Sequence, residues 1–413
     1  MERKRKILAS LADLRQEFAG TVPVEVIKAW EVSTKQSHDQ NEILRPFERE
    51  GYYVTTDSAG LSRLTAERTL IEVMRLVSEP KEIIFEHGRA IGGRGVGIWA
   101  ADNSAMFYDA GRVSADQLVE KMAAAQKRIH SGPLQIGMGI HRGKFWELGM
   151  SLFGEQADLV EHISEEFTEG QEIVLSETVR SELQSDWHEL LTLREDLTGF
   201  KTPFYHLNYD EMTLWEGFDS GLMQSPKPEN FYPFPFSSDF FLAMKRNNQA
   251  ELESFYKNKV VIMIKNYHHK ERLLLQELTD WVVVNAVWME IAQKYDVEVV
   301  KSNGDLGIFV ADRDSEAVEF AEDLLLSSRS GNDRVSIGLC RGDVLLFKLD
   351  GDAGKDIAGG AVNIASKISE DVEGNDTFYV ESSVQIPSHH LSKFENFAIE
   401  KSKVVIAGQR YKQ

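Results

Sequence analysis

Two stretches of the chain, from about Gly51 to Asn208 and from about Lys259 onward, mix two hydrophobic rhythms. Apolar residues at every second position mark half-buried strands, and recurrence every three or four positions marks helices. LQIGMGI (134–140) and VSIGLC (335–340) alternate as strands, and EIVLSE (172–177) and TFYVES (377–382) read as further strands. Residues 270–295 carry apolar positions at helical spacing. Ser114 with Gln117 predicts a capped helix over 115–130 that Gly132 stops. VEVVKSNGDLGIFVA (297–311) predicts two strands about a tight Asn303-Gly304 turn.

The two stretches resemble each other. GIHRG (139–143) in the first is matched by GLCRG (338–342) in the second, each following a short alternating strand. ISE (163–165) is matched by ISE (368–370), each ending a predicted helix and leading to another strand. Two diverged copies of one unit account for this, running strand, helix, hairpin, helix, strand, helix, strand. Residues 1–48 read as a polar helical segment, 49–210 as the first copy and 258–413 as the second. The intervening 211–257 contains SPKPENFYPFPF, where prolines block helix, and reads as an aromatic linker.

At 413 residues the chain can bury two cores. Its 46 Lys and Arg against 66 Asp and Glu leave a net charge of −20. That charge repels phosphate backbones and anionic lipid, so neither nucleic acid nor membrane is an expected partner. The single Cys340 excludes an intrachain disulfide and a multi-cysteine metal site, and fits a reducing, cytoplasmic setting. The N-terminal ILASLADL is too short and too polar for a signal peptide.

Candidate chemistry concentrates in the second copy. Lys301, Gly304 and Asp305 sit at the hairpin, and DIAGGAVNIASK (356–367) follows. Asn363 and Lys367 are four apart on a predicted helix and share one face, while Gly359 and Gly360 admit close approach of a ligand. KSNGDxxxF followed by D-x-x-G-x-x-V-N-x-A-x-K resembles the class III nucleotidyl cyclases, whose pattern ends in Arg where Lys367 stands. The resemblance spans about 50–185 and 258–384. It implies two ferredoxin-like α+β domains of cyclase type forming an intramolecular pseudo-dimer, with catalysis in the cleft between them.

Carried over residue by residue, the resemblance divides the site between the copies. In YVTTDSAGLSRLT, Asp57 takes the first metal-ligand position, and in ADNSAMFY, Asp102 takes the second, with Ala101 replacing a glycine. The second copy holds Lys265, or Asn266 in a shifted register, in place of the first carboxylate and keeps only Asp305. Conversely, Lys301 and Asp356 match the adenine-reading pair, Asn363 the ribose-orienting residue and Lys367 the transition-state cation. Their counterparts in the first copy are approximately Ile98, Ser151, Asp158 and His162. The family also has a phosphate-binding lysine near its last strands, for which Lys401 or Lys403, in IEKSKVVIAG, stands.

The implied function is an adenylate cyclase making cyclic AMP and pyrophosphate from ATP with two Mg²⁺ or Mn²⁺ ions. The alternative is an inactive cyclase-like nucleotide sensor or scaffold. The degenerate second pocket would be a place for an effector or regulatory protein. GGRGVG (92–97) lacks the Gly-Lys-Ser/Thr of a phosphate loop and reads as a mobile hairpin tip or an insertion. His268-His269 and His389-His390 read as surface histidines, since neighbours on a strand face opposite sides.

Overall fold

The computed structural model describes residues 22–59, 68–97, 99, 103–149, 151–212, 239–267, 272–302, 304–331, 334–348, 355–370, 376–401 and 404–412. They form two compact units, one of residues 44–237 and the other combining the N-terminal segment up to residue 43 with 238–413. The Pro-rich 213–238 lies outside the described residues.

The first unit contains β1 (Glu48–Ala59), α3 (Leu70–Ala90), β2 (Arg94–Gly95), β3 (Ser104–Asp109), α4 (Ala115–His130) and β4 (Gln135–Leu148). It continues with β5 (Ser151–Phe153), α5 (Glu155–Glu166), β6 (Ile173–Ser176), β7 (Leu191–Leu193) and β8 (Phe204–Leu207). Ser114 caps α4 by accepting from Gln117 N. The glycine-rich 92–97 supplies the short edge strand β2.

The second unit repeats the plan with β9 (Tyr256–Tyr267), α6 (Leu274–Lys294), β10 (Glu298–Ser302), β11 (Leu306–Ala311), α7 (Asp314–Gly331) and β12 (Arg334–Lys348). Then come β13 (Lys355–Ala358), α8 (Gly360–Glu370), β14 (Thr377–Glu381), β15 (Phe394–Lys401) and β16 (Val404–Tyr411).

The strand orders are β2-β3-β1-β4-β6-β8-β7 and β10-β11-β9-β12-β14-β16-β15, with β5 and β13 pairing β4 and β12. Corresponding elements occupy corresponding places. The antiparallel run β2-β3-β1-β4 is the ferredoxin-like arrangement, and β6 and β14 add in parallel after α5 and α8. Both domains are therefore α+β and of one fold.

Each sheet buries side chains on both faces. In the second, Val260, Ile262 and Ile264 pack with Trp288 of α6 and Phe320 of α7, while Val261 and Met263 pack with Ala361 and Ala365 of α8. Period-two alternation along β9 produces this split. The first glycine of GLCRG lets α8 approach: a Cβ at Gly338 would lie 2.2 Å from Ala365 O. The arginine of each motif ties its strand to the first strand of its domain, Arg142 to Glu50 Oε1 of β1 (2.8 Å) and Arg341 to Asn258 Oδ1 of β9 (2.9 Å). The repeated GxxRG signal is thus a folding signal.

In the N-terminal segment, α1 (Val24–Val32) buries Val26, Ile27 and Trp30, and α2 (Ser37–Leu44) follows. Gln40 Oε1 accepts from Leu275 N (2.9 Å), joining this segment to α6. No helix among the described residues is long and apolar enough to cross a membrane.

Candidate functional site

Strand register settles which residues of the two copies correspond. Asp57 faces Gly137, and Lys265 faces Ser336. Gly137 and Ser336 each stand two residues before their GxxRG motif, so Asp57 and Lys265 occupy one position in the fold. Asn266, the alternative, is buried and donates its side-chain N–H to Gly304 O (3.0 Å) while its backbone N–H donates to Asp305 O (2.7 Å). It pins the hairpin tip. Gly304 is required there, at φ +89°, because a Cβ would meet Trp281 O at 1.9 Å.

Lys265 pairs across the ladder with Leu306, so Asp305 follows its turn directly beside it. The ammonium lies 2.8 Å from Asp305 Oδ2. In the sequence the lysine and the surviving carboxylate are separate features; the pairing shows them neutralising one another. Opposite charges at two aligned positions were the signal that could have revealed this.

The second sheet also assembles the predicted base-reading residues. Lys301 faces Ile308, which in turn faces Met263, placing Lys301 on the α8 side of the sheet. Its Nζ reaches Asp356 Oδ1 at 2.5 Å, with side chains 18% and 13% exposed. Asp356 Oδ1 also accepts from Ile357 N (2.9 Å), so both bonds go to one oxygen. Residues 55 apart in the chain are thereby held as a donor–acceptor pair. Along α8, Ala361, Ala365 and Ile368 are buried, leaving Asn363 exposed and Lys367 half-buried one turn apart.

The first domain differs at each of these places. Leu148 faces Ser151 where Phe347 faces Asp356, so a serine replaces the carboxylate. Asp158 and His162 hold the places of Asn363 and Lys367 ahead of Ile-Ser-Glu. The residue facing Ala105, at the place of Lys301, is buried Val96, whose N–H donates to Ala105 O (3.0 Å); this corrects the approximate match to Ile98, which lies outside the described residues. Asp57 is half-buried near the end of β1, on the same face as Tyr53 and Thr55, and Thr55 Oγ1 donates to Val160 O of α5 (3.0 Å).

Acidic residues dominate α5. Burial, with Glu155 nearby, raises the carboxyl of Asp158 above its ordinary range. Glu161 accepts from Tyr53 OH at 2.6 Å. Although the residue is only partly covered, burial of its carboxyl pushes it up to about 7, overriding the hydrogen bond that favours the anion. The folded state holds this proton more tightly than the unfolded chain does. Its stabilising contribution is therefore present below the ordinary value of 4.5 and is lost as pH rises through about 7. Glu161→Gln should flatten the melting temperature between pH 5 and 8, raising it by about 2–4 °C at pH 8. Thermal unfolding across that range checks this; an unchanged pH slope would refute it.

The structure thus brings Lys301 to Asp356 and presents Asn363 and Lys367 together on one helix of the same domain. Asp57 belongs to the other domain. Asp102 and Lys403 lie outside the described residues, as do His268 and His269.

No family model matches the chain, and no curated protein sequence matches it. Among solved structures, a class III adenylyl cyclase-like ATP-binding protein from Pseudomonas aeruginosa aligns over 92% of this chain and 91% of its own, at TM-score 0.51 and 11% identity. The adenylyl cyclase CyaB from P. aeruginosa aligns over 39% of this chain and 94% of its own, at TM-score 0.33 and 16% identity. The catalytic core of a rhodopsin-guanylyl cyclase with converted specificity, in complex with ATPαS, aligns over 38% of this chain and 96% of its own, at TM-score 0.32 and 20% identity. The fold defined by this chain is that of a cyclase-like protein with two such domains.

Proposed function

We propose that the chain is an adenylate cyclase with one composite site, the first domain supplying Asp57 and Asp102 and the second Lys301, Asp356, Asn363 and Lys367. The observation that carries this reading is the exchange at one position of the fold: a carboxylate, Asp57, in one copy and an ammonium, Lys265, already paired with Asp305 in the other. The second domain keeps a preformed Lys301–Asp356 pair, and the first has replaced its counterparts. The first copy has Asp57 where the second has Lys265, and the second has Lys301 and Asp356 where the first has Val96 and Ser151, while Asp305 stays in the second as the partner of Lys265.

Two aspartates present hard anionic oxygens, which suit Mg²⁺ or Mn²⁺. Such ions, when bound, activate the ribose 3′-hydroxyl and neutralise the departing pyrophosphate. The chain's own residues do the rest. Lys301 donates to adenine N1, and Asp356 accepts from the exocyclic amine through Oδ2. Asn363 fixes the sugar so that the 3′-oxygen lies in line with the α-phosphate. The 3′-hydroxyl gives up its proton to water, its oxygen forms the bond to phosphorus as the bond to pyrophosphate breaks, and the cation at 367 offsets the charge that grows on the phosphoryl oxygens. Lys403 is proposed to hold terminal phosphate.

Lysine at 367 is a compact point charge where a planar fork would make two directed bonds. Lys367→Arg should therefore raise turnover, by about 10-fold for one added charge-assisted hydrogen bond of roughly 1.5 kcal/mol. Initial rates at saturating ATP measure this, and equal or lower rates in the variant would count against the role.

A second reading is a nucleotide sensor without turnover. It is favoured by the lysine at 367 and by the solved structure of matching span, which is described as an ATP-binding protein. Incubating purified protein with ATP and Mn²⁺ separates the two: cyclic AMP and pyrophosphate in equal amounts support the cyclase, and ATP bound without product supports the sensor.

A further inference from the structure

The second domain carries a cluster that the nucleotide chemistry does not use. It lies against α7, the helix that packs with Val260 and Ile262 on the sheet face opposite Lys265 and α8. After β14 the chain turns through His389 and His390 before the 3-10 turn Leu391–Lys393. The adjacent histidines are on a turn and not on the strand expected from the sequence. Their ring centroids consequently lie only 4.1 Å apart. Glu319 of α7 and the two histidines each bring one ligand atom to within 4.8 Å of the others.

We propose that Glu319, His389 and His390 form a binding site for a divalent transition ion, Zn²⁺ above all. Two imidazoles select such ions over Mg²⁺ and Ca²⁺, and the carboxylate supplies anionic charge. Three protein ligands leave a fourth, tetrahedral position to water. Ligand atoms about 2.0–2.2 Å from a tetrahedral ion stand roughly 3.3–3.6 Å apart, so closure needs side-chain rotations of about 1 Å.

The surroundings favour this assignment over a plain ion pair. His390 is buried, at 8% exposure. Its Nδ1 lies 2.8 Å from Glu322 Oε2, but off the line of a straight hydrogen bond. A carboxylate beside one ring nitrogen turns the other toward the ion, as positioning partners of metal-bound histidines do. Glu322 is already served by Tyr411 OH (2.9 Å) and by Lys393, so it does not depend on His390 for compensation. Among the described residues, Glu319 makes no hydrogen bond or ion pair. An ion here would pin the 389–390 turn to α7.

The site stands independently of the cyclase reading. The test uses the tag-free full chain carrying Asp57→Asn, stripped with chelator and titrated with Co²⁺, whose tetrahedral complexes absorb strongly in the visible; Zn²⁺ is then added as competitor. One equivalent of tetrahedral Co²⁺, displaced by Zn²⁺, and a melting temperature raised by Zn²⁺ are expected. Binding should weaken at least 10-fold in His389→Ala and in Glu319→Gln. Glu322→Gln, at a positioning residue, should weaken it about 10-fold. Because His389 is exposed, its variant should keep the fold, which the melting curve checks. Absence of the tetrahedral spectrum, or unaltered binding in folded His389→Ala, would overturn the proposal.

Discussion

Asp57→Asn should abolish conversion of ATP to cyclic AMP, reducing turnover by at least about 100-fold, while the protein still melts cooperatively. Asparagine keeps the shape but removes the charge that a hard divalent ion requires, and metal assistance is worth several kcal/mol of transition-state stabilisation. Binding of ATP should survive better than turnover, because the proposed adenine contacts are on the other domain. The equivalent change on the other copy, Lys265→Met, touches a position where an ammonium already faces Asp305 (2.8 Å), and turnover should stay within a few-fold. Cyclic AMP formation across a Mn²⁺ titration reads both variants. Retained turnover in Asp57→Asn would remove the metal role, and with it the composite site.

Lys301→Met should have the second largest effect. The lysine and Asp356 meet at 2.5 Å with little exposure, so deleting the ammonium strands a partly buried carboxylate. It also removes the donor proposed for adenine N1. Loss of one such hydrogen bond costs about 1–3 kcal/mol, or roughly 5- to 150-fold in kcat/KM for ATP. Guanine presents a donor at N1 and an acceptor at position 6, and gains nothing from the wild-type pair. The ratio of ATP to GTP turnover should therefore fall along with the ATP rate. If Lys301→Met slowed both nucleotides equally, the pair would be only a structural ion pair.

Much of the fold was legible because it rests on local rules. The capping Ser114, the helical spacing over 270–295 and the hairpin ahead of Leu306 each named an element, and the paired GxxRG and ISE motifs revealed the repeat. Other features depended on pairing between distant segments. Nothing local distinguishes Lys265 from Asn266 as the partner of Asp57; only the ladder to Ser336 does. The meeting of Lys301 with Asp356 was suggested by resemblance but is made by β10 and β13 coming together across 55 residues. The histidine pair was misread because period-two alternation was applied to residues that lie in a turn. The close of each domain, the hairpins β7–β8 and β15–β16, left no strong motif, since the edge strands β7 and β15 are short or partly polar.

The Lys265–Asp305 contact has a consequence for how the later copy meets divalent ions. A tethered counter-ion cannot dissociate, be chelated or be diluted away, so the later copy is insulated from swings in free Mg²⁺. If Asp57 and Asp102 hold the two ions proposed for them, the dependence of turnover on divalent concentration will be set by the earlier copy, as the stepwise filling of two positions.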